Sequence, residues 1–113
     1  MSEVFEMDKM CEIAIGLIIC AGNSKTNSML AIQAAGNFKF EEAEKYIEEA
    51  EKEQREAHEV QTQLLQEEAK GNHQQPSLIM VHAQDHLTMG LMTLDRAKET
   101  IKLYKIIDEL KNK

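Results

Sequence analysis

The run His82-Ala83-Gln84-Asp85-His86 holds the side chains best suited to chemistry in this 113-residue sequence. On a helix, the four-residue spacing of His82 and His86 places both imidazoles on one side, about 40° apart around the axis. Imidazole is largely neutral at cellular pH, so an accessible histidine is a nucleophile that can accept a phosphoryl group. In this interpretation His82 is the nucleophile. His86 and Gln84 are auxiliary groups that orient its ring or contact the phosphoryl oxygens.

The same two histidines leave other interpretations open. A four-residue helical spacing can also hold a transition metal, as in H-E-x-x-H sites. Here the glutamate after His82 is absent, and no third ligand is evident downstream. Two histidines that are merely hydrogen-bonded or solvated are a further alternative. A helical metal-binding protein that uses His82, Asp85 and His86 is therefore a separate hypothesis, which predicts that a transition metal is retained on purification.

The apolar residues of the C-terminal third fall on two nearly opposite faces of a helical wheel drawn at about 100° per residue. One face holds Met80, Leu87, Leu91, Leu94 and Ile101, and the other holds Leu78, Val81, Met89, Met92 and Leu103. A three-helix bundle needs only one buried face per helix. The second face therefore predicts self-association.

Asp85 falls in the middle of that second face, where a lone carboxylate is costly unless it is paired, protonated or bound to a metal. Copies of Asp85 around a symmetry axis could share a divalent cation, with the oxygen preference of Mg²⁺. The alternative is that Asp85 lies at a solvated edge.

Three long helices must position these residues. The sequence has one proline and five glycines, and it is rich in strong helix formers. The pattern predicts helices over about Met7–Ala35, Phe40–Ala69 and Pro76–Leu110, with proline at the first position of the third. Their short connections predict an all-α, antiparallel, up-down-up three-helix bundle formed by residues 1–113 as a single domain.

Glycines mark the expected irregularities of this bundle. Gly36-Asn37 is predicted to stop the first helix, with glycine in the left-handed conformation. Gly16 and Gly22-Asn23 predict a kink within that helix.

The composition disfavours several classes of partner. A net charge of −7 disfavours nucleic-acid binding and docking to anionic membranes. No basic stretch precedes an apolar run at the N-terminus, and the longest apolar stretch, Ile13–Ala21, is too short to span a bilayer. Cys11 and Cys20 are too far apart on one helix to bridge, so they are expected to be free thiols. These features predict a cytoplasmic protein without direct membrane insertion.

The segment from Ser77 to Leu87 (SLIMVHAQDHL) resembles the signature of lactose/cellobiose-type enzyme IIA components of the bacterial sugar phosphotransferase system. The similarity extends over most of the chain. It includes Met92-Thr93-Leu94, Leu103-Tyr104, Ala21-Gly22-Asn23, Ala31–Ala35 (AIQAA), Phe40–Ala43 (FEEA) and the Ala57-His58-x-x-Gln61-Thr62-x-Leu64 pattern.

The resemblance implies a three-helix bundle that assembles as a homotrimer. It implies that His82 accepts a phosphoryl group from phospho-HPr and donates it to a cysteine of the cognate enzyme IIB. It also implies that Asp85 lies near the threefold axis, where three subunits share a divalent cation. Gly90 departs from the family pattern, and its missing side chain is expected to let a neighbouring helix or a partner approach closely.

A rival hypothesis of another class is a non-catalytic helical interaction module, which accounts equally well for the amphipathic helices and the second apolar face. Phosphoryl acceptance discriminates between the two hypotheses. Within the enzyme IIA interpretation, lactose, cellobiose, chitobiose and related β-glucosides all stay open, because the membrane component selects the sugar.

Overall fold

The computed structural model describes residues 2–73 and 75–113, which form three helices. Helix α1 spans Ser2–Gly36, α2 spans Phe40–Ala69 and α3 spans Leu78–Lys111. The helices lie side by side in an elongated bundle of 68 × 22 × 19 Å, and α1 packs along both of the others. The all-α three-helix prediction is confirmed.

Each helix buries a narrow stripe whose residues alternate three and four positions apart. The stripe of α1 is Ala14, Leu17, Ala21, Ser24, Ser28, Ala31 and Ala35, and that of α2 is Ala43, Ile47, Ala50, Gln54 and Ala57. The stripe of α3 is Ala83, Leu87, Gly90, Leu94, Ala97 and Ile101. This spacing is that of a coiled-coil seam, and its many small residues let the three backbones pack closely.

The prediction for the core face of α3 is wrong at one residue, Leu91. Leu87, Leu94 and Ile101 are buried as predicted, but Leu91 is 48% exposed. The reason is that small residues occupy the centre of the stripe, so α1 and α2 meet α3 at Gly90 rather than at its larger neighbour. Gly90 is buried, and a Cβ there would lie 2.8 Å from Gln54 Oε1 and 3.0 Å from the Ala21 carbonyl oxygen. The expected close approach at this glycine is confirmed.

The turn between α1 and α2 differs from the prediction. Gly36 is the last residue of α1, and Phe38 adopts the left-handed conformation with φ of 61°. The backbone N–H of Lys39 donates to the Ala34 carbonyl at 2.9 Å, and the N–H of Phe38 donates to the Ala35 carbonyl at 2.9 Å. These two bonds form a Schellman cap, so the left-handed position is Phe38 and not a glycine.

Aromatic contacts explain why phenylalanine occupies this strained position. The Phe38 ring makes edge contacts with Phe40 and Tyr104, and Lys111 Nζ lies 3.9 Å from its centroid. Gly36 lies beside the same cluster, where a Cβ would be 3.4 Å from Tyr104 Oη, an ordinary van der Waals contact.

Among the remaining helix boundaries, those of α2 agree with the prediction, whereas the starts of α1 and α3 differ from it. Helix α2 has the predicted limits, whereas α1 begins at Ser2 and continues through both glycines where a kink was predicted. At the start of α3, Ser77 is the N-cap and its Oγ accepts from the Met80 N–H at 3.2 Å. Pro76 therefore precedes the helix instead of opening it. Helix α2 ends in a second Schellman cap, with Gly71 at φ of 92°.

No helix formed by the described residues is both long and apolar enough to cross a bilayer. Cys11 and Cys20 are free thiols, in agreement with the prediction.

Candidate functional site

His82 and His86 lie together on the second and third turns of α3. The two Nε2 atoms are 3.1 Å apart, and the rings meet edge to face with their centroids 4.5 Å apart. His82 is exposed, whereas His86 is half-buried. Because a hydrogen bond needs one donor and one acceptor, only one of the two facing nitrogens carries a proton when both rings are neutral. The arrangement therefore presents an accessible imidazole whose neighbour can act as its hydrogen-bond donor.

Gln84 lies on the opposite side of α3, about 200° from His82 around the helix axis. Its Oε1 accepts a 2.7 Å hydrogen bond from Gln61 Nε2 on α2, and its Nε2 lies 3.5 Å from Met80 Sδ. Both glutamines are half-buried. The structure therefore separates the two predicted auxiliary residues, since His86 contacts His82 within the chain and Gln84 does not share their side of the helix.

Asp85 is exposed and has neither a hydrogen bond nor an ion pair to any described side chain. The apolar residues predicted to surround it are exposed as well. Their exposed fractions are 87% for Leu78, 52% for Val81, 40% for Met89, 52% for Met92 and 60% for Leu103. This second apolar face therefore lies on the outer surface of the bundle, opposite the core stripe.

Gln54 is a polar residue within the core that sequence reasoning did not single out. It is 7% exposed, and its Nε2 donates to the Leu87 carbonyl at 3.1 Å. This bond joins α2 to α3 at Leu87, the residue that follows His86. Gln54 and Gln61 both continue the three-and-four spacing of the α2 stripe. A glutamine at a core position was the signal that could have identified them.

Among the described residues, the three metal-type donors whose ligand atoms lie within 4.8 Å of one another are Cys20, Glu53 and Glu56. They join α1 to α2. Burial, followed by the charge of Glu53, raises the pKa of the Cys20 thiol. His82, Asp85 and His86 do not converge in this way within the chain, so the transition-metal hypothesis lacks its ligand geometry.

The sequence profile of a family described as "PTS system, Lactose/Cellobiose specific IIA subunit" matches residues 12–105. The chain belongs to this family. It is therefore a sugar-specific phosphocarrier component of the phosphotransferase system, and the resemblance of the sequence around His82 is confirmed.

Known proteins agree with this assignment. The lichenan-specific phosphotransferase enzyme IIA component of Bacillus subtilis is 41% identical over 102 residues, covering 90% of this chain and 93% of that protein. The cellobiose-specific enzyme IIA of Bacillus anthracis superimposes with a TM-score of 0.84 at 37% identity, covering 87% of this chain and 90% of that one. The chitobiose IIA protein of Escherichia coli, solved in complex with HPr, gives a TM-score of 0.75 at 30% identity, covering 86% of this chain and 94% of that one.

Proposed function

We propose that His82 is the residue of this enzyme IIA that carries the phosphoryl group, received from phospho-HPr and passed to a cysteine of the cognate enzyme IIB in the cytoplasm. The observation that carries the proposal is the pair of facing Nε2 atoms, 3.1 Å apart, of which the one on His82 belongs to an exposed ring. The relative solved in complex with HPr supports HPr as the donor.

The facing nitrogens suggest how the transfer proceeds. With the proton of His82 on Nδ1, its Nε2 lone pair attacks phosphorus, and the bond between phosphorus and the donor breaks as the new N–P bond forms. His86 Nε2–H, released from its contact with His82, donates to a phosphoryl oxygen. In the onward step a thiolate of enzyme IIB attacks phosphorus. The N–P bond then breaks, and the electron pair returns to His82.

The exposed face of α3 supports a homotrimer. From Asp85 onward, this face continues at alternating spacings of four and three through Met89, Met92, Arg96, Glu99, Leu103, Ile106 and Leu110. Such a stripe is the seam of a parallel coiled coil, which three copies of α3 would form around a threefold axis. On the wheel, His82 lies about 60° to one side of Asp85, and Gln84 about 100° to the other. The groove between adjacent subunits would then hold His82 of one and Gln84 of the next.

Asp85 fits the divalent cation that the family resemblance implies. Its carboxylate is exposed and has no partner among the described residues, and an oxygen donor suits Mg²⁺. We propose that three Asp85 carboxylates hold one such ion on the axis. The ion would neutralise their mutual repulsion and stabilise the trimer.

Phosphoryl acceptance tests the function. The protein is incubated with phosphoenolpyruvate, enzyme I and HPr, and its intact mass is taken before and after mild acid. We expect one acid-labile phosphoryl group per chain and none in His82→Ala. His58→Ala, which removes an exposed histidine of α2, is the matched control. A stable, stoichiometric phosphoryl group on His82→Ala would overturn the assignment. No uptake by the wild-type chain from an active relay would favour the interaction-module hypothesis.

Mixed trimers test the shared groove. Chains carrying His82→Ala and chains carrying Gln84→Leu are co-refolded. Transfer is then compared with that of each variant alone, and sedimentation velocity reports the state of assembly.

Met92→Glu should give monomers, whereas Leu65→Glu, at a 61% exposed leucine of α2, should not. Metal analysis should find about one ion per trimer, lost in Asp85→Asn. A monomeric wild-type chain would refute the trimer and the axial ion together.

A further inference from the structure

The hydrogen bond from Gln61 to Gln84 has a defined polarity. Gln84 presents one arm of its amide to Met80 Sδ, at 3.5 Å, and the other to Gln61, at 2.7 Å. A thioether sulfur accepts hydrogen bonds but has no proton to donate, so the arm that faces Met80 is the NH₂ group. The carbonyl arm is thereby left for Gln61, which must act as the donor.

We propose that Gln61 is a positioning residue for phosphoryl transfer. By donating to Gln84 Oε1, it keeps the carbonyl oxygen of that amide turned into the bundle. The second N–H of Gln84 has no hydrogen-bond partner among the described residues. That N–H is then free to donate to the phosphoryl group on His82 of the neighbouring subunit. The inference rests on the proposed function and on the shared groove.

The polarity matters because the phosphoryl oxygens only accept hydrogen bonds. An N–H of Gln84 stabilises their charge, whereas an outward carbonyl oxygen would repel it. Gln84 can present either group to the groove, since rotating the amide exchanges them with little change in shape. Met80 Sδ favours the NH₂ group on its own side, and the N–H of Gln61 holds the carbonyl oxygen on the side of α2. The effect of Gln61 must therefore pass through Gln84.

The variant Gln61→Glu isolates this effect. It keeps the shape of the side chain and removes its N–H, so a carboxylate faces Gln84. Gln84 must then turn its NH₂ toward α2 and its Oε1 outward. We expect transfer from phospho-HPr to slow about tenfold, the effect of losing one charge-assisted hydrogen bond. Gln63→Glu adds the same charge at an exposed position of α2 and is the matched control.

Single-turnover transfer is measured by rapid quench at several phospho-HPr concentrations, with thermal unfolding and sedimentation of each variant alongside. For Gln61→Glu we expect a lower saturating rate and an unchanged half-saturating concentration. Gln63→Glu should match the wild type. In a Gln84→Leu background, adding Gln61→Glu should change the rate less than about twofold, because the residue through which Gln61 acts is gone.

Two results would overturn the inference alone. One is a Gln61→Glu variant that transfers as fast as the wild type. The other is an equal loss of rate from Gln61→Glu with and without Gln84, which would mean that the new charge acts directly or disturbs the fold. A wild-type chain that takes no phosphoryl group would instead overturn the proposed function, and this inference with it.

Discussion

Gln54 and Gln61 lie on the same face of α2, seven residues apart, and each donates one hydrogen bond to α3. Gln54 is 7% exposed and bonds to a backbone carbonyl, that of Leu87. Gln61 is half-buried and bonds to a side chain, that of Gln84. A bond to backbone fixes the relative position of two helices, whereas a bond to a side chain fixes the orientation of that side chain. We therefore expect Gln54 to matter mainly for stability and Gln61 mainly for transfer.

The largest effect should follow Gln54→Glu, which places a carboxylate in the core with no basic partner. We expect the free energy of unfolding at pH 7 to fall by about 3 kcal/mol or more. Burial would hold the pKa of this new carboxyl above its unfolded value of about 4.3. The native state then binds the extra proton, so the loss should grow as pH rises above about 4 and shrink below it.

Urea unfolding between pH 4 and pH 8 measures this loss. Gln54→Met is the control, since it removes the donor to Leu87 without adding charge, and it should cost about 1 kcal/mol at every pH. A loss of the same size for both variants at pH 7 would show that Gln54 is not enclosed, and the contrast with Gln61 would fail.

Gly90→Ala should also destabilise the bundle, although alanine is the better helix former by up to ~1 kcal/mol. The added Cβ would lie 3.0 Å from the Ala21 carbonyl oxygen, which belongs to the backbone of α1 and cannot turn away. We expect a net loss of about 1–2 kcal/mol in urea unfolding. Gly16→Ala is the control, because its Cβ would meet nothing within 4 Å, and it should stabilise. A stabilised Gly90→Ala variant would show that the helices can separate at little cost.

The Cys20 thiol of α1 lies close to Glu53 of α2, the residue that precedes Gln54. Burial and then Glu53 raise the pKa of its thiol, so less thiolate is present at pH 8 and alkylation should be slow. Glu53→Gln removes one cause, which lowers the pKa and should raise the alkylation rate. Peptide mapping after timed iodoacetamide labelling measures Cys20 separately from Cys11. An unchanged rate in Glu53→Gln would mean that burial alone controls the thiol.

The smallest effect on stability should follow Gln61→Glu, for which we expect a change within about 0.5 kcal/mol. Gln84 can turn its NH₂ group toward the new carboxylate and keep a hydrogen bond. Urea unfolding beside Gln54→Glu gives the direct contrast. A loss of unfolding free energy as large as that of Gln54→Glu would show that both glutamines act mainly by stabilising the fold.

Spacing along one helix predicted much of this molecule. The positions of His82 and His86 follow from the helical repeat alone, so their pairing was predictable from the sequence. The limits of α2 were correct because its charged and small residues alternate regularly between Phe40 and Ala69. The outer apolar face around Asp85 was also correct, since five apolar positions on one side of a wheel determine a surface.

Contacts between helices were less accessible to sequence reasoning. Leu91 was placed in the core because its hydropathy outweighed that of Gly90, although the glycine is where the backbones meet. Gln61 and Gln84 are 23 residues apart, and no local pattern joins two amides across helices. The left-handed residue at the end of α1 was assigned to glycine on intrinsic preference, whereas aromatic packing from α3 places Phe38 there.

The contact of Lys111 with Phe38 ties the end of α3 to the α1–α2 turn, at the opposite end of the bundle from His82. At about 1.5 Å per residue, some 44 Å of helix separate the two ends. A protein built in this way can be tethered without blocking its partners. Attachment to a sensor chip at the exposed Asn37 would leave the histidine end facing solution, free for protein partners to bind in turn.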